Sequence, residues 1–225
     1  MDPTRWSATQ LRWATAGGIV GPVVFVTGWM LNGLRYKASE RIPDGYSAID
    51  NAISELAATG SPAQWGMTFA FVVFSVGIAA YSQALRVAFA GPAWVAALVC
   101  ALSTLGVAAT PLDATTRDAL HGTFATLGYI GITLAPFFAG RTIAEARPGS
   151  HVARLCWLAS AISAAALLGT LADTSHGFFQ RSGLFAGDVW FVASAAWLLR
   201  TGGDPLGRGL AQVGSGTGTG GGGPT

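Results

Sequence analysis

Charge is scarce in this chain. Asp, Glu, Lys and Arg make up 11% of its 225 residues, where soluble domains carry roughly a quarter. That excludes an ordinary soluble globular domain. The formal net charge is only +2, and no Lys/Arg run is available to track a phosphate backbone, so nucleic acid is excluded as a partner. Cysteine is nearly absent as well. Cys100 and Cys156 are the only two, with no CxxC or Cys/His spacing, so neither a disulfide framework nor a structural zinc site is supported. Both read as small hydrophobes inside apolar segments, away from the acidic side of the chain. His121 and His176 do lie with the acids, yet no His-x-x-x-His or His-Glu pair and no G-x-S-x-G elbow is present, so a membrane hydrolase stands as the weaker alternative. Ser54 beside Glu55 is not a nucleophile signature by itself. The sequence calls for no cofactor and no metal.

Apolar residues are abundant. They make up 51% of the chain, the mean hydropathy is +0.47, and they come in runs of about twenty, enough to cross a hydrocarbon core about 30 Å thick. The runs predict six transmembrane helices over 13–34, 64–86, 92–110, 119–140, 152–172 and 183–200. Gly60-Ser61-Pro62, Gly91-Pro92, Pro111 and Arg147-Pro148-Gly149 mark the boundaries. The first run is too long for the apolar region of a signal peptide and is expected to be retained. The fold class is therefore all-α integral membrane, with the lipid bilayer as its first partner. The expected organisation is an N-terminal segment over 1–12, a six-helix transmembrane domain over 13–200 and a disordered Gly-rich tail over 201–225. Gly17 with Gly21, Gly183 with Gly187, and the row Ala159, Ser163, Ala166 allow close helix approach.

Basic residues number eight on one side of the predicted spans and five on the other. This places both termini in the cytoplasm of a multi-pass cell-membrane protein. The acids are distributed in the opposite sense: eight lie on the outer side and only Asp2, Glu145 and Asp204 inside. Acids contribute little to topology, so the asymmetry needs another cause. Polar groups held at the edge of hydrocarbon are costly and mark candidate sites. In the long first outer loop, Ser47 with Asp50 resembles a capping box. Ile49, Ala52, Ile53 and Leu56 then recur at helical spacing, which predicts a short amphipathic helix over the bundle mouth, ending at Thr59-Gly60.

Several short pieces carry a resemblance. The chain reads Gly18-Ile19-Val20-Gly21-Pro22-Val23-Val24-Phe25 in the first helix and Ala52-Ile53-Ser54-Glu55-Leu56 in the first loop. It reads Pro111-Leu112-Asp113 followed by His121 before the fourth helix, and Gly177-Phe178-Phe179-Gln180-Arg181 before the sixth. In order and spacing these resemble the bacterial six-helix membrane family known as domain of unknown function 998, with its G-x-x-G-P-x-x-F, A-I-S-E-L, P-x-D…His and G-x-x-Q-R motifs. Arg117-Asp118 stands where that pattern has a small residue. The resemblance implies a fold and a site location, but no chemistry.

The candidate catalytic residues are Glu55, Asp188, His121 and Asp113. A desolvated carboxyl is able to act as an acid. Asp188, one to two turns into the sixth helix, must pair, face a cavity or stay protonated. Asp113 reads equally as a helix cap, and His121 stands three residues from Asp118 on one helical face. The candidate substrate-binding residues are Arg181, Gln180, Ser54 and Trp65. Arg181 fits an anionic group, or else pairs with the acids. Two function classes follow. One is a membrane-embedded acid/base enzyme acting on a lipophilic small molecule. Its most specific form is a Brønsted-acid isoprenoid cyclase whose cation is held by aromatic faces, with Trp29, Tyr36, Tyr46, Trp65, Phe69, Phe185 and Trp190 near the outer half, where aromatics also form the ordinary membrane belt. The other is a non-enzymatic lipid or small-molecule binder or transporter.

Overall fold

A computed structural model of the chain describes residues 6–36, 42, 44–89, 91–113, 117–171 and 175–206. It contains six α-helices: α1 (Ala8–Arg35), α2 (Gln64–Ala88), α3 (Ala93–Ala109), α4 (Arg117–Ala146), α5 (His151–Gly169) and α6 (His176–Arg200). Five of them are long and apolar enough to cross a membrane. The exception, α3, is a 17-residue apolar helix, at the short end of what spans a bilayer. The described residues contain no strand.

Each helix packs on its sequence neighbours, and α6 packs back on α1, which closes a ring. From α2 onward short connections join antiparallel neighbours in this up-and-down order, and only the α1–α2 connection is long. Glycines set the spacing. A Cβ on Gly21 of α1 would lie 3.1 Å from the Phe74 carbonyl oxygen, and one on Gly131 of α4 would lie 2.6 Å from the Cys100 amide nitrogen. Backbones therefore meet directly at α1/α2 and α3/α4. Gly183 does the same for α5/α6, where Ser163 Oγ also donates to its carbonyl at 2.8 Å. The outer surface is as apolar as the interior: Val76 and Leu155 are each 63% exposed. Helices that are apolar all round have no solvated face to offer. The molecule is a multi-pass helical membrane bundle.

Two helix starts differ from the sequence expectation. α1 begins at Ala8 rather than 13, because Ser7 and Gln10 form a reciprocal capping box: Ser7 Oγ accepts from Gln10 N and Gln10 Oε1 accepts from Ser7 N. α6 begins at His176 rather than 183, so the polar stretch Gly177–Arg181 is helical and lies inside the bundle. The predicted loop helix is also different. Ser47 Oγ accepts from the amides of Ile49 and Asp50, and Asn51 Oδ1 accepts from Ser47 N, which closes a tight turn. The helix that follows is a five-residue 3-10 turn, Ile53–Ala57. Ile53 and Leu56 are buried as expected, but Ile49 is 58% exposed, because the polar turn rotates it off the apolar face. At the C-terminal end Leu206 folds back onto the core; the Gly-rich stretch 207–225, with Asp2, Arg5 and Asp173, lies outside the described residues.

Candidate functional site

The 3-10 turn packs on α1, α2 and α6 and closes one end of the ring, and two residues of α6 hold it there. Gln180 is 5% exposed. Its Oε1 accepts from Ile53 N at 2.7 Å, and its Nε2 donates to the Tyr129 hydroxyl on α4. Arg181 is 8% exposed. Its Nη1 donates to the carbonyls of Ala48 at 2.8 Å, Asn51 at 2.9 Å and Gly177 at 2.9 Å, and its Nη2 donates to the Tyr46 hydroxyl. The guanidinium also lies over the rings of Trp29 and Tyr46, 5.3 Å from each centroid. A planar fork suits this work, since it satisfies several acceptors at once while stacking on aromatic faces. Phe178 N adds a bond to Ile49 O at 2.8 Å. The Ala-Ile-Ser-Glu-Leu and Gly-x-x-Gln-Arg stretches are thus two halves of one docked joint. Burial pushes the Tyr46 hydroxyl up to about 12, although the Arg181 charge pulls the other way.

Beneath this roof lies a central cavity. One stripe of α6 reaches it through Gln180, Leu184 and Asp188 at i, i+4 and i+8, and α4 supplies His121, Ala125, Tyr129 and Ile132 at the same period. Phe25, Phe71 and Phe74 form aromatic wall, Cys100 and Thr104 come from α3, and Ile53 and Ser54 close the top. The space within the lining, open solvent at the mouth included, is about 520 Å³, and little of it is wide enough for a water molecule. The passage is narrow and mostly apolar.

Asp188 is 2% exposed, and neither carboxyl oxygen has a hydrogen-bond partner among the described residues. Buried polar groups are nearly always bonded, and an exception calls for an explanation. A carboxyl group here offers a proton in its acid form and a cation site in its ionised form. His121, 5% exposed, holds the Thr110 carbonyl through Nδ1 at 2.7 Å.

The predicted site residues divide. Asp188, His121, Gln180 and Ser54 line the one cavity, whereas Glu55, Asp113, Arg181 and Trp65 do not. Glu55 accepts from Asn51 Nδ2 at 2.7 Å within the roof. Asp113 belongs to the α4 approach, where its amide donates to Asp118 Oδ1 at 2.9 Å and its carboxylate lies 3.8 Å from Arg117. Arg181 is bound to backbone carbonyls and aromatic rings, and Trp65 is 79% exposed on the bundle surface. The aromatic wall differs from expectation as well. Phe69 and Phe185 face outward, Trp29 and Tyr46 flank Arg181, and Trp190 lines a lipid-side groove. Cys100, expected far from the acids, shares the cavity with Asp188. The signal for the true wall was present: Phe71 and Phe74, one turn apart, continue to Ile78 as the buried stripe of α2.

The family described as Protein of unknown function (DUF998) matches residues 19–197. The chain belongs to this family. The match begins within α1, includes the roof, the joint and every cavity residue named above, and stops within α6. No curated protein and no solved structure matches the chain.

Proposed function

We propose that the protein is a membrane-embedded enzyme that uses the Asp188 carboxyl as a general acid on a lipophilic substrate held in the central cavity. The supporting observation is the unpartnered carboxyl at the cavity wall. A carboxylic acid in an apolar site is able to serve as a proton donor. Protonation-initiated cyclisation of an isoprenoid suits the surroundings. The acid proton adds to an alkene carbon or an epoxide oxygen, and the cation that forms is attacked by a second double bond. The ring-closed cation then loses a proton back to the Asp188 carboxylate. The sum is an isomerisation, and no co-reactant is consumed. Phe25, Phe71 and Phe74 line the cavity, and aromatic rings stabilise such a cation where their faces meet it, while the mostly apolar lining limits access of water to it.

His121 and Ser54 complete the polar lining, and Glu55 contributes by holding the roof. On this reading both termini lie in the cytoplasm and the roof on the outer face, the side with fewer basic residues, which the positive-inside rule supports. The narrowness of the cavity favours a second reading, a lipid or small-molecule binder without turnover. Proteoliposomes incubated with a linear isoprenoid epoxide separate the two. Enzymatic function predicts cyclised product that disappears in Asp188→Asn, whereas a binder retains the substrate and returns it unchanged.

A further inference from the structure

Tyr129 is the cavity residue whose hydrogen-bond direction is fixed by its neighbours. The amide of Gln180 has only one possible orientation. Ile53 N is a backbone donor, so the Gln180 atom 2.7 Å from it is the acceptor Oε1. The other atom is then Nε2, which donates, and Tyr129 receives it on its hydroxyl oxygen. The phenolic hydrogen cannot point back at Gln180, and no acceptor for it is found among the described residues. It is a half-buried donor left free for a ligand.

The position of Tyr129 is as informative as its polarity. Its side chain lines the central cavity and also a groove between α4 and α5, bounded by Ile130, Leu134, Leu167 and Leu168, on the lipid-facing side. It is thus the shared wall between the bilayer and the interior. Asp188 lies two turns of α6 beyond Gln180, an axial distance of about 12 Å. The stretch between the two polar points is apolar, formed by Leu184, Ile132 and the phenylalanines.

From this geometry we infer that the ligand is an elongated lipophile carrying an acceptor oxygen, a carbonyl or ether, which takes the Tyr129 hydrogen while its hydrocarbon chain runs toward Asp188. The inference rests on the cavity being the site of the proposed reaction. It adds the chemical class and the orientation of the substrate: the acceptor oxygen at the roof, and the reacting alkene or epoxide, a separate group at the far end of the chain, at the acid. Tyr129 is then a binding residue that sets which end goes in first.

The test uses the full chain in nanodiscs with geranylacetone, a linear isoprenoid ketone labelled with carbon-13 at its carbonyl, and the hydrocarbon in which that carbonyl is a methylene. Three measurements are made: binding of each probe, the infrared carbonyl band of bound ketone, and the thermal midpoint of each variant. The wild type should prefer ketone over hydrocarbon by about tenfold, the worth of one hydrogen bond, with the carbonyl band moved to lower frequency. In Tyr129→Phe the preference should vanish and the band return to its position in an apolar solvent, while hydrocarbon binding persists. Equal binding of the two probes by the wild type, an unshifted band, or a preference that survives in Tyr129→Phe would overturn the inference. The band is read on the wild type alone, so the test holds even if the variant folds poorly. Asp188→Asn separates the two proposals. A shifted band with no turnover in any protein leaves the Tyr129 assignment standing and removes the enzymatic reading. Asp188-dependent turnover with an unshifted band does the reverse.

Discussion

The side chain of Gln180 on α6 accepts the backbone hydrogen of Ile53 at 2.7 Å, a bond between residues 127 apart in the chain. It ties the first loop to the last helix directly above the cavity. Gln180→Leu leaves the buried Ile53 amide without an acceptor, at a cost of about 1–3 kcal/mol. The expected outcome is a lower thermal midpoint in detergent together with faster protease cleavage between Asn51 and Thr59. Unchanged cleavage would show that the roof is held by other bonds.

Arg181 should not tolerate its nearest relative. Lysine keeps the charge but lacks the planar fork that serves the Ala48, Asn51 and Gly177 carbonyls and the Tyr46 hydroxyl together. Arg181→Lys is expected to cost about 2 kcal/mol, read as a drop in thermal midpoint. If the residue served mainly to bind a soluble anion, Lys would restore most of the stability and added phosphate would raise the midpoint. The structure predicts neither.

Gly177→Ala separates roof docking from bundle folding. An added Cβ would meet the Asn51 carbonyl oxygen and lie 2.9 Å from that of Ala48, while alanine itself favours the helix. Roof cleavage should therefore rise while the thermal midpoint of the bundle changes little. Gly131→Ala should behave oppositely, since its Cβ would press on Cys100 N and Ala96 O at 2.6 and 2.7 Å and push α3 from α4.

Tyr46 gives the roof a pH limit. Its hydroxyl donates to Ala52 O at 3.1 Å and accepts from Arg181. Burial raises its pKa from 10.0 to about 12, so the folded state holds this proton more tightly than the unfolded chain does. Its stabilising contribution is complete below pH 10 and is lost as pH rises toward 12. Protease protection of the roof should fall across that window, and Tyr46→Phe should remove this component of the fall.

The membrane architecture was legible because it rests on composition and run length, which do not depend on what each residue touches. Helix ends were read well where glycine and proline mark them, as at Gly91-Pro92, and poorly where polar residues are helical. α6 starts at His176 because Gln180 and Arg181 find partners in a loop more than a hundred residues earlier, information that local pattern does not contain. Most of the one-sided acids gather at the roofed end of the bundle. Glu55 and Asp113 turned out to hold the roof and the α4 approach, and Trp65 faces outward. Asp188 was recognisable from depth alone, since a carboxyl that far into an apolar run needs a reason to be there. Depth along a predicted helix does not tell which face an aromatic presents, so Phe69 and Phe185 at the outer half face outward while Phe71 and Phe74 line the cavity.

Asp188 carries the central claim, and replacing it tests stability and turnover together. Removing an unpartnered buried carboxyl should leave the bundle as stable or more stable, so Asp188→Leu is expected to hold or raise the thermal midpoint. The decisive measurement is product formation from a linear isoprenoid epoxide in proteoliposomes containing the wild type, Asp188→Asn or Asp188→Leu. Cyclised product from the wild type and none from either folded variant is the predicted result; equal product from all three, or none from the wild type, would contradict it.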